Sequence, residues 1–266
     1  GKTTTTSLIY RIMCDAGLNV ALGGNIGESF AYSVATGQYD WYVLELSSFQ
    51  LDGMFRFKAD VGVLMNITPD HLDRYDYCFQ NYVDSKMRIT QNQTEKDFFI
   101  FSGDDPVIGG ELSKYDLKSH LLPFTANEAA PTQGAHFADG CCSVHLGDKS
   151  LTLDAERMQI KGLHNCYNAM AAALATLAAG VPAEQVERSI YAFSPVEHRL
   201  EPVREVEGVL WINDSKATNV DSVWYALESM TRPVVWIAGG TDKGNDYEPL
   251  KQFAREKVHT LVCMGL

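Results

Sequence analysis

This chain lacks a basic surplus. Aspartate and glutamate number 34 against 22 lysines and arginines, a formal net charge of −12. A protein that tracks a nucleic-acid backbone presents a basic face, so nucleic acid is not expected as a partner. The acidity leaves a small phosphorylated ligand open, because a few local cations and backbone N–H groups suffice to hold one. No C-x-x-C pair occurs among the six cysteines, Cys14, Cys78, Cys141, Cys142, Cys166 and Cys263. Their scatter makes no disulfide framework, and free thiols in a reducing cytosol are expected. A secretory signal pattern is missing. The most apolar helical stretch, residues 169–179, is shorter than the ~20 residues a bilayer crossing takes, so no membrane partner is expected. Neither an internal repeat nor a low-complexity segment is evident. There is no initiating methionine: the chain opens at Gly1-Lys2-Thr3 and stops at Cys263-Met264-Gly265-Leu266, after an apolar run. Both ends read as cut, and a fragment of a longer protein is expected.

What is present is core-forming. With 266 residues, 45% of them apolar, the chain can bury one large domain or two ordinary ones. Residues 39–46 read as a buried strand that runs into Glu45-Leu46-Ser47-Ser48-Phe49-Gln50. A carboxylate, two hydroxyls and an amide are thereby delivered to the carboxyl edge of a sheet, where open α/β sheets bind ligands. Residues 59–67 form a second such strand, followed by Thr68, Asp70, His71 and Asp73. A lone histidine after a strand is commonly structural. Beside a strand that delivers Glu45, a metal reading gains weight, although hard Mg²⁺ prefers oxygen ligands.

Gly1-Lys2-Thr3-Thr4, ahead of a helical pattern over residues 5–16, matches the last three positions of G-x-x-x-x-G-K-[ST]. Two readings stand. It is the end of a phosphate loop, with Lys2 on the terminal phosphates and the Thr3 hydroxyl on Mg²⁺, or an ordinary Thr-rich segment. Gly23-Gly24-Asn25-Ile26-Gly27 follows a short strand and is either a close approach to a ligand or a tight turn. The helix over residues 77–92 carries Lys86, on a face where lysine is ordinarily solvated. Gly103-Asp104-Asp105-Pro106 is a turn that opens a helix. Residues 119–160 alternate in short runs with turns at Asp139-Gly140 and Gly147-Asp148, which predicts β-hairpins. His120, His136 and His145 there have no ligand-like spacing and are placed at the surface. Asn165 and Asn168 share a face at the start of an Ala-rich helix; paired amides suit an adenine edge, and helix capping suits them equally. Residues 193–199 read as a linker. A hairpin around Glu207-Gly208, the polar cluster 213–219, a helix, a strand and Gly239-Gly240-Thr241-Asp242-Lys243-Gly244 then open a second α/β domain.

These blocks resemble, in order from the first residue to near the last, the Mur ligases, ATP-dependent amide-bond-forming enzymes of peptidoglycan synthesis. Gly-Lys-Thr, Glu-Leu-Ser-Ser-Phe-Gln, Asn66 to Tyr75, Lys86, His164-Asn165, Asn168, His198-Arg199, Asn-Asp-Ser-Lys-Ala-Thr-Asn and Gly239-Gly240 with Lys243 carry the resemblance together. The Glu45 and Asn213 blocks resemble the branch that adds D-glutamate. The resemblance implies an α/β fold: a central P-loop-type, mostly parallel sheet flanked by helices with a small β subregion, over residues 1–196. A truncated Rossmann-like domain would follow over 197–266, with a UDP-binding domain absent.

By the same resemblance, ATP phosphorylates the carboxylate of UDP-N-acetylmuramoyl-L-alanine, and the amine of D-glutamate attacks the acyl phosphate. Lys2, Glu45, His71 and Lys86 would be catalytic. Gly1, Lys2, Thr3, Thr4, Asn165, Asn168, Arg199 and Asp214 would bind ATP. Thr3, Glu45, His71 and Lys86 would hold Mg²⁺, two ions in all, with Lys86 carbamylated. Asn25, Ser47, Gln50, Lys216, Thr218 and Lys243 would face substrates. A cytoplasmic monomer is implied. Gly-Gly-Thr-Asp-Lys departs from the related Gly-Gly-x-Gly-Lys at the position before Lys243. The competing readings are a sister Mur ligase, a folylpolyglutamate synthase-like ligase, and a nucleotide-binding module that performs no ligation.

Overall fold

The computed structural model describes residues 1–127, 129–194, 200–240 and 246–265. His198 and Arg199 of the linker, and Lys243 of the glycine loop, lie outside the described residues. The chain divides into two compact units, Gly1–Ser194 and Pro195–Leu266.

The first unit opens by alternating helices and strands: α1 (Lys2–Asp15), β1 (Val20–Gly24), α2 (Phe30–Thr36), β2 (Trp41–Glu45), α3 (Ser48–Asp52), β3 (Val61–Leu64), α4 (Phe79–Met87), β4 (Phe98–Ser102), α5 (Pro106–Glu111) and β5 (His120–Thr125). It continues with β6 (Gly134–Ala138), β7 (Cys141–Leu146), β8 (Lys149–Asp154), α6 (Leu163–Ala178) and α7 (Ala183–Ala192). Strands β1 and β2 pair in parallel. The six-stranded sheet has the order β3-β4-β5-β6-β7-β8. Strands β3 to β6 pair in parallel, and β7 and β8 then add antiparallel. The fold is therefore α/β, a mostly parallel sheet flanked by helices with a small antiparallel subregion.

Three local expectations shift. The hairpins of residues 119–160 begin only at β6, because β5 pairs in parallel with both β4 and β6, and a hairpin needs antiparallel neighbours. Both predicted turns are found, the first with Asp139 and Gly140 at φ +50° and +76°, the geometry of a two-residue hairpin loop. Strand β3 stops at Leu64, short of Ile67, whose N–H leaves the ladder and donates to Asp105 Oδ2 at 2.8 Å. Helix α4 starts at Phe79, because Asp76 and Tyr77 sit at φ +54° and a right-handed helix cannot include them.

The sheet is buried on both faces. Phe99 and Phe101 of β4 pack with Leu64 against Tyr82, Val83 and Met87 of α4 and Ile108 of α5. Helix α6 lies on strands β3 to β7 and against α1. Every residue over 168–177 of α6 is buried. Alanine serves such a helix twice: it has the highest helix propensity, and its small side chain lets neighbours approach on all sides. Helix α5 begins where the sequence turn ends, with Asp105 accepting from Val107 and Ile108 N–H and Pro106 in the first turn.

The second unit holds an antiparallel hairpin, β9 (Glu201–Val206) with β10 (Val209–Asn213), turning at Glu207 and Gly208 as the sequence predicts. Helix α8 (Val220–Ser229), β11 (Val234–Gly239), α9 (Lys251–Lys257) and β12 (Val258–Met264) complete it. β11 and β12 are parallel, and Trp224 of α8 meets Phe253 of α9 at 5.1 Å between ring centroids. Among the described residues no helix is long and apolar enough to cross a membrane.

Phe99 is fully buried at the centre of the β4–α4–α5 core. Phe99→Ala is expected to lower unfolding free energy by about 3–5 kcal/mol in urea titrations. A loss under about 1 kcal/mol would mean that this cluster is not the stabilising core.

Candidate functional site

Glu45 closes β2, and β2 ends at the carboxyl edge of its pair. The side chain is 4% exposed. Its Oε1 accepts a hydrogen bond from Asn25 Nδ2 at 2.9 Å, while its buried Oε2 has no hydrogen-bond partner. Asn25 is tied to the same residue again, its N–H donating to the Glu45 carbonyl at 2.7 Å. Gly24 makes this approach possible. It stands at φ +97°, opposite Glu45 in the β1–β2 register, and a Cβ there would lie 2.3 Å from the Glu45 carbonyl oxygen. The glycine run is thus a close approach to Glu45, and Asn25 orients its carboxylate. An unpartnered buried carboxylate oxygen is costly unless a cation or donor meets it. That orphaned oxygen fits a bound cation.

Lys2, Glu45 and Lys86 line one cavity of about 430 Å³, with Thr5, Ser48 and Asn66. The cavity lies between β2 and β3, over α1. Consecutive residues 40–46 and 57–61 line it, both side-chain parities together, as strand edges do. Lys86 corrects the local expectation of a solvated lysine. It is half-buried, with Nζ 4.9 Å from the Tyr82 ring centroid. Burial pushes its pKa down to about 8, and the Lys2 charge pushes the same way, against the pull of Asp70 and Asp105. The first turn of α1 carries no acidic side chain, so its free N–H groups favour an anion there.

His71 stands apart from this lining. Its backbone is left-handed, at φ +51°, and its N–H donates to Asp70 Oδ1 at 2.9 Å. Its ring meets Phe49 edge-on at 5.2 Å, and Phe49 stacks on Tyr75 at 6.0 Å. The segments 47–50 and 71–75 are therefore in contact through aromatic rings. Among the described residues no group of three His, Cys, Asp or Glu side chains is arranged to hold a metal. Magnesium needs no such cage, since it is held by one or two carboxylates together with water and phosphate oxygens.

Thr3 and Thr4 are buried in the first turn of α1. Thr5 Oγ1 donates to Asn168 Oδ1 at 3.0 Å, and Asn168 Nδ2 donates to Asn165 Oδ1 at 2.9 Å. Neither amide caps α6, whose N-cap is Gly162 without a side-chain bond. The capping alternative falls, and the pair forms a chain from α6 to α1. Ser47 and Gln50 make a capping box on α3: Gln50 Oε1 accepts from Ser47 N–H, and Ser47 Oγ accepts from Gln50 N–H. In the second unit, Asp214 Oδ1 accepts from Leu200 N–H at 3.1 Å, and Lys216 and Thr218 are exposed. Sequence reasoning passed over Asp104 and Tyr167, which are hydrogen-bonded to each other. Asp104 looked like turn composition, and Tyr167 like any aromatic at a helix start.

Comparison with known proteins places the chain. Residues 1–176 match the Mur ligase middle domain, and residues 198–266 match the Mur ligase glutamate ligase domain. The chain is 52% identical over 266 residues to UDP-N-acetylmuramoylalanine–D-glutamate ligase of Bacteroides fragilis, and 52% over 267 residues to that of Bacteroides thetaiotaomicron. All of the chain is covered in both matches, but only 60% of each relative. Among solved structures it resembles MurF ligase from Thermotoga maritima in complex with ADP, at a TM-score of 0.68 and 20% identity. That match covers 96% of this chain and 61% of the other. A pseudomurein peptide ligase type C from Methanothermus fervidus gives a TM-score of 0.70 at 18% identity, over 99% and 66% of the two chains. The fold is that of ligases built on a helix-flanked, mostly parallel sheet. This chain belongs to the Mur ligase family.

The Lys86 amine should titrate far from its neighbours. In ¹³Cε-lysine NMR of the chain, one resonance is expected to titrate near pH 8, charged below and neutral above, and to vanish in Lys86→Arg. All lysines titrating near 10.5, the ordinary value for the side chain, would contradict the burial argument.

Proposed function

We propose that the protein containing this chain is an ATP-dependent ligase that joins D-glutamate to UDP-N-acetylmuramoyl-L-alanine in peptidoglycan synthesis. The observation that carries this reading is the orphaned Glu45 oxygen, lining one cavity with Lys2 and Lys86. Identity of 52% to D-glutamate ligases along the whole chain supports the substrate. Phosphoryl transfer to a carboxylate brings two anions together, so positioning and charge neutralisation are the catalytic work.

In this reading residues 1–196 are the ATP-binding domain and residues 197–266 the C-terminal domain. Lys2 neutralises the β- and γ-phosphates, with Gly1, Thr3 and Thr4 completing the phosphate cradle. Thr3, Glu45 and carbamylated Lys86 would hold magnesium, with His71 at a second magnesium, and the bound ions would neutralise phosphate charge. The cation-ready Glu45 oxygen and the oxygen-rich donor set fit that ion. Above about pH 8 the Lys86 amine is neutral; its nitrogen adds to CO₂ and releases a proton, which turns a neutral amine into an anionic carbamate. Asn165 and Asn168 read adenine, Asp214 the ribose hydroxyls, and Arg199 binds ATP with them. Asn25, Ser47 and Gln50 serve the muramoyl-alanine side, and Asn25 also orients Glu45. Lys216, Thr218 and Lys243 serve D-glutamate and the acyl phosphate. The carboxylate of the acceptor takes the γ-phosphoryl group, and the D-glutamate amine then displaces phosphate. The protein works as a cytoplasmic monomer on small molecules.

A second reading applies to the chain by itself. It spans 60% of its relatives, so in isolation it is a nucleotide-binding unit without ligase activity.

The test is phosphate release by the intact protein. ATP, Mg²⁺, UDP-N-acetylmuramoyl-L-alanine and D-glutamate together should give release, and omission of any one should abolish it. Equal release with L-lysine, meso-diaminopimelate or L-glutamate in place of D-glutamate would sink the substrate assignment. Glu45→Gln is expected to lower kcat at least 100-fold, as loss of a charge-stabilising group does.

A further inference from the structure

Asp104 follows β4 and has no part in the chemistry above, yet several elements converge on it. Its Oδ2 accepts from Tyr167 OH at 2.6 Å and from Ala126 N–H at 2.7 Å. Its Oδ1 accepts from Thr125 Oγ1 and from Asn127 N–H at 3.2 Å. One carboxylate therefore ties together the carboxyl ends of two adjacent parallel strands, β4 and β5, and the first turns of α6. Burial works against its charge, but the bonds from Thr125, Tyr167, Ala126 and Asn127 prevail and hold its carboxyl below the usual carboxylate range.

Tyr167 lies between the two asparagines in sequence. Asn168 is 1% exposed and is held from the other side by Thr5 of α1. Two bonds tie the start of α6 to other elements. Thr5 holds it toward α1, and Asp104 holds it toward the sheet edge through Tyr167. Helix α6 has no side-chain N-cap and begins after Gly162 at φ +90°; within its first turn Asn165 Nδ2 donates to the Lys161 carbonyl at 2.8 Å, a bond to the helix's own lead-in that does not tie it to the sheet. A small roll or slide of this turn would carry the Asn165–Asn168 amides with it. Phe124 of β5 packs on the Tyr167 ring at 5.9 Å between centroids, which leaves the hydroxyl as the directional element.

We infer that Asp104, acting through the Tyr167 hydroxyl, is a positioning residue that sets the Asn165–Asn168 amide pair against the adenine base of ATP. The inference rests on the nucleotide reading of those two asparagines in the preceding subsection. It adds a specificity element outside the phosphate and metal region: a carboxylate that touches no substrate but orients the amides that do.

The experiment is steady-state kinetics of the intact protein with three variants. Tyr167→Phe deletes one hydroxyl and keeps the ring on Phe124. It is expected to raise KM for ATP by about threefold to tenfold with kcat within about twofold, and to narrow the preference for ATP over GTP. Asp104→Asn should raise KM for ATP further and lower the melting temperature; if it does not fold, Tyr167→Phe decides. Asn168→Ala is the control for the underlying reading. If it leaves KM for ATP unchanged, the adenine assignment is wrong and the inference falls with it. If Asn168→Ala raises KM while Tyr167→Phe leaves both KM and the ATP preference at wild-type values, the adenine assignment stands and the positioning role is overturned. A fall in kcat alone in Tyr167→Phe would also overturn it.

Discussion

The Glu45 carboxylate has one oxygen bound by Asn25 and one buried with no partner. Such an atom is unstable by itself, and the local structure is arranged around keeping it where a cation can meet it. The β1–β2 pair sets Glu45 at a strand end, and Gly24 lets the neighbouring chain pass against its carbonyl. Lys2 and Lys86 line the same cavity. Lys58, Asp40 and Asp60 line it too, so lysines and carboxylates are balanced there within a chain of net charge −12. Individual lysines at such a cavity can meet a small anionic ligand, while the acidic balance of the chain disfavours a polyanion.

The fold supplies this geometry by packing around α6. An alanine-rich helix buried along residues 168–177 lets its neighbours pack closely around it. It meets α1, which starts at the cavity, and the strands that carry the second half of the site. Thr5, Asn168, Tyr167 and Asp104 then convert that packing into directional bonds. Charge chemistry at Glu45 and amide chemistry at Asn168 thus share one frame.

Much of this was legible in the sequence where local pattern decides structure. Apolar strands ending in polar clusters gave the carboxyl edge, Asp105-Pro106 gave a helix start, and Glu207-Gly208 gave a hairpin turn. The misses occurred where a distant group outweighs local pattern. Strand β3 is cut short by a bond to Asp105, nearly forty residues on, and Lys86 looked solvated on a helix whose burial comes from other elements. The two asparagines looked equally fit for capping because the sequence does not display Thr5 opposite Asn168. Asp104 had no signal at all beyond turn composition, since its partners lie on β5 and α6. Ser47 and Gln50 carried a local signal, a Ser-x-x-Gln capping box, that competes with any substrate role.

The central claim is that the unpartnered Glu45 oxygen is a metal position beside the ATP phosphates. It is tested most directly by a crystal structure of the intact protein with Mg²⁺ and a non-hydrolysable ATP analogue. The account predicts a cation bonded to Glu45 Oε2, with Lys2 on the terminal phosphates and extra density on Lys86 Nζ. Nucleotide and Mg²⁺ bound with Glu45 Oε2 still unliganded would contradict it.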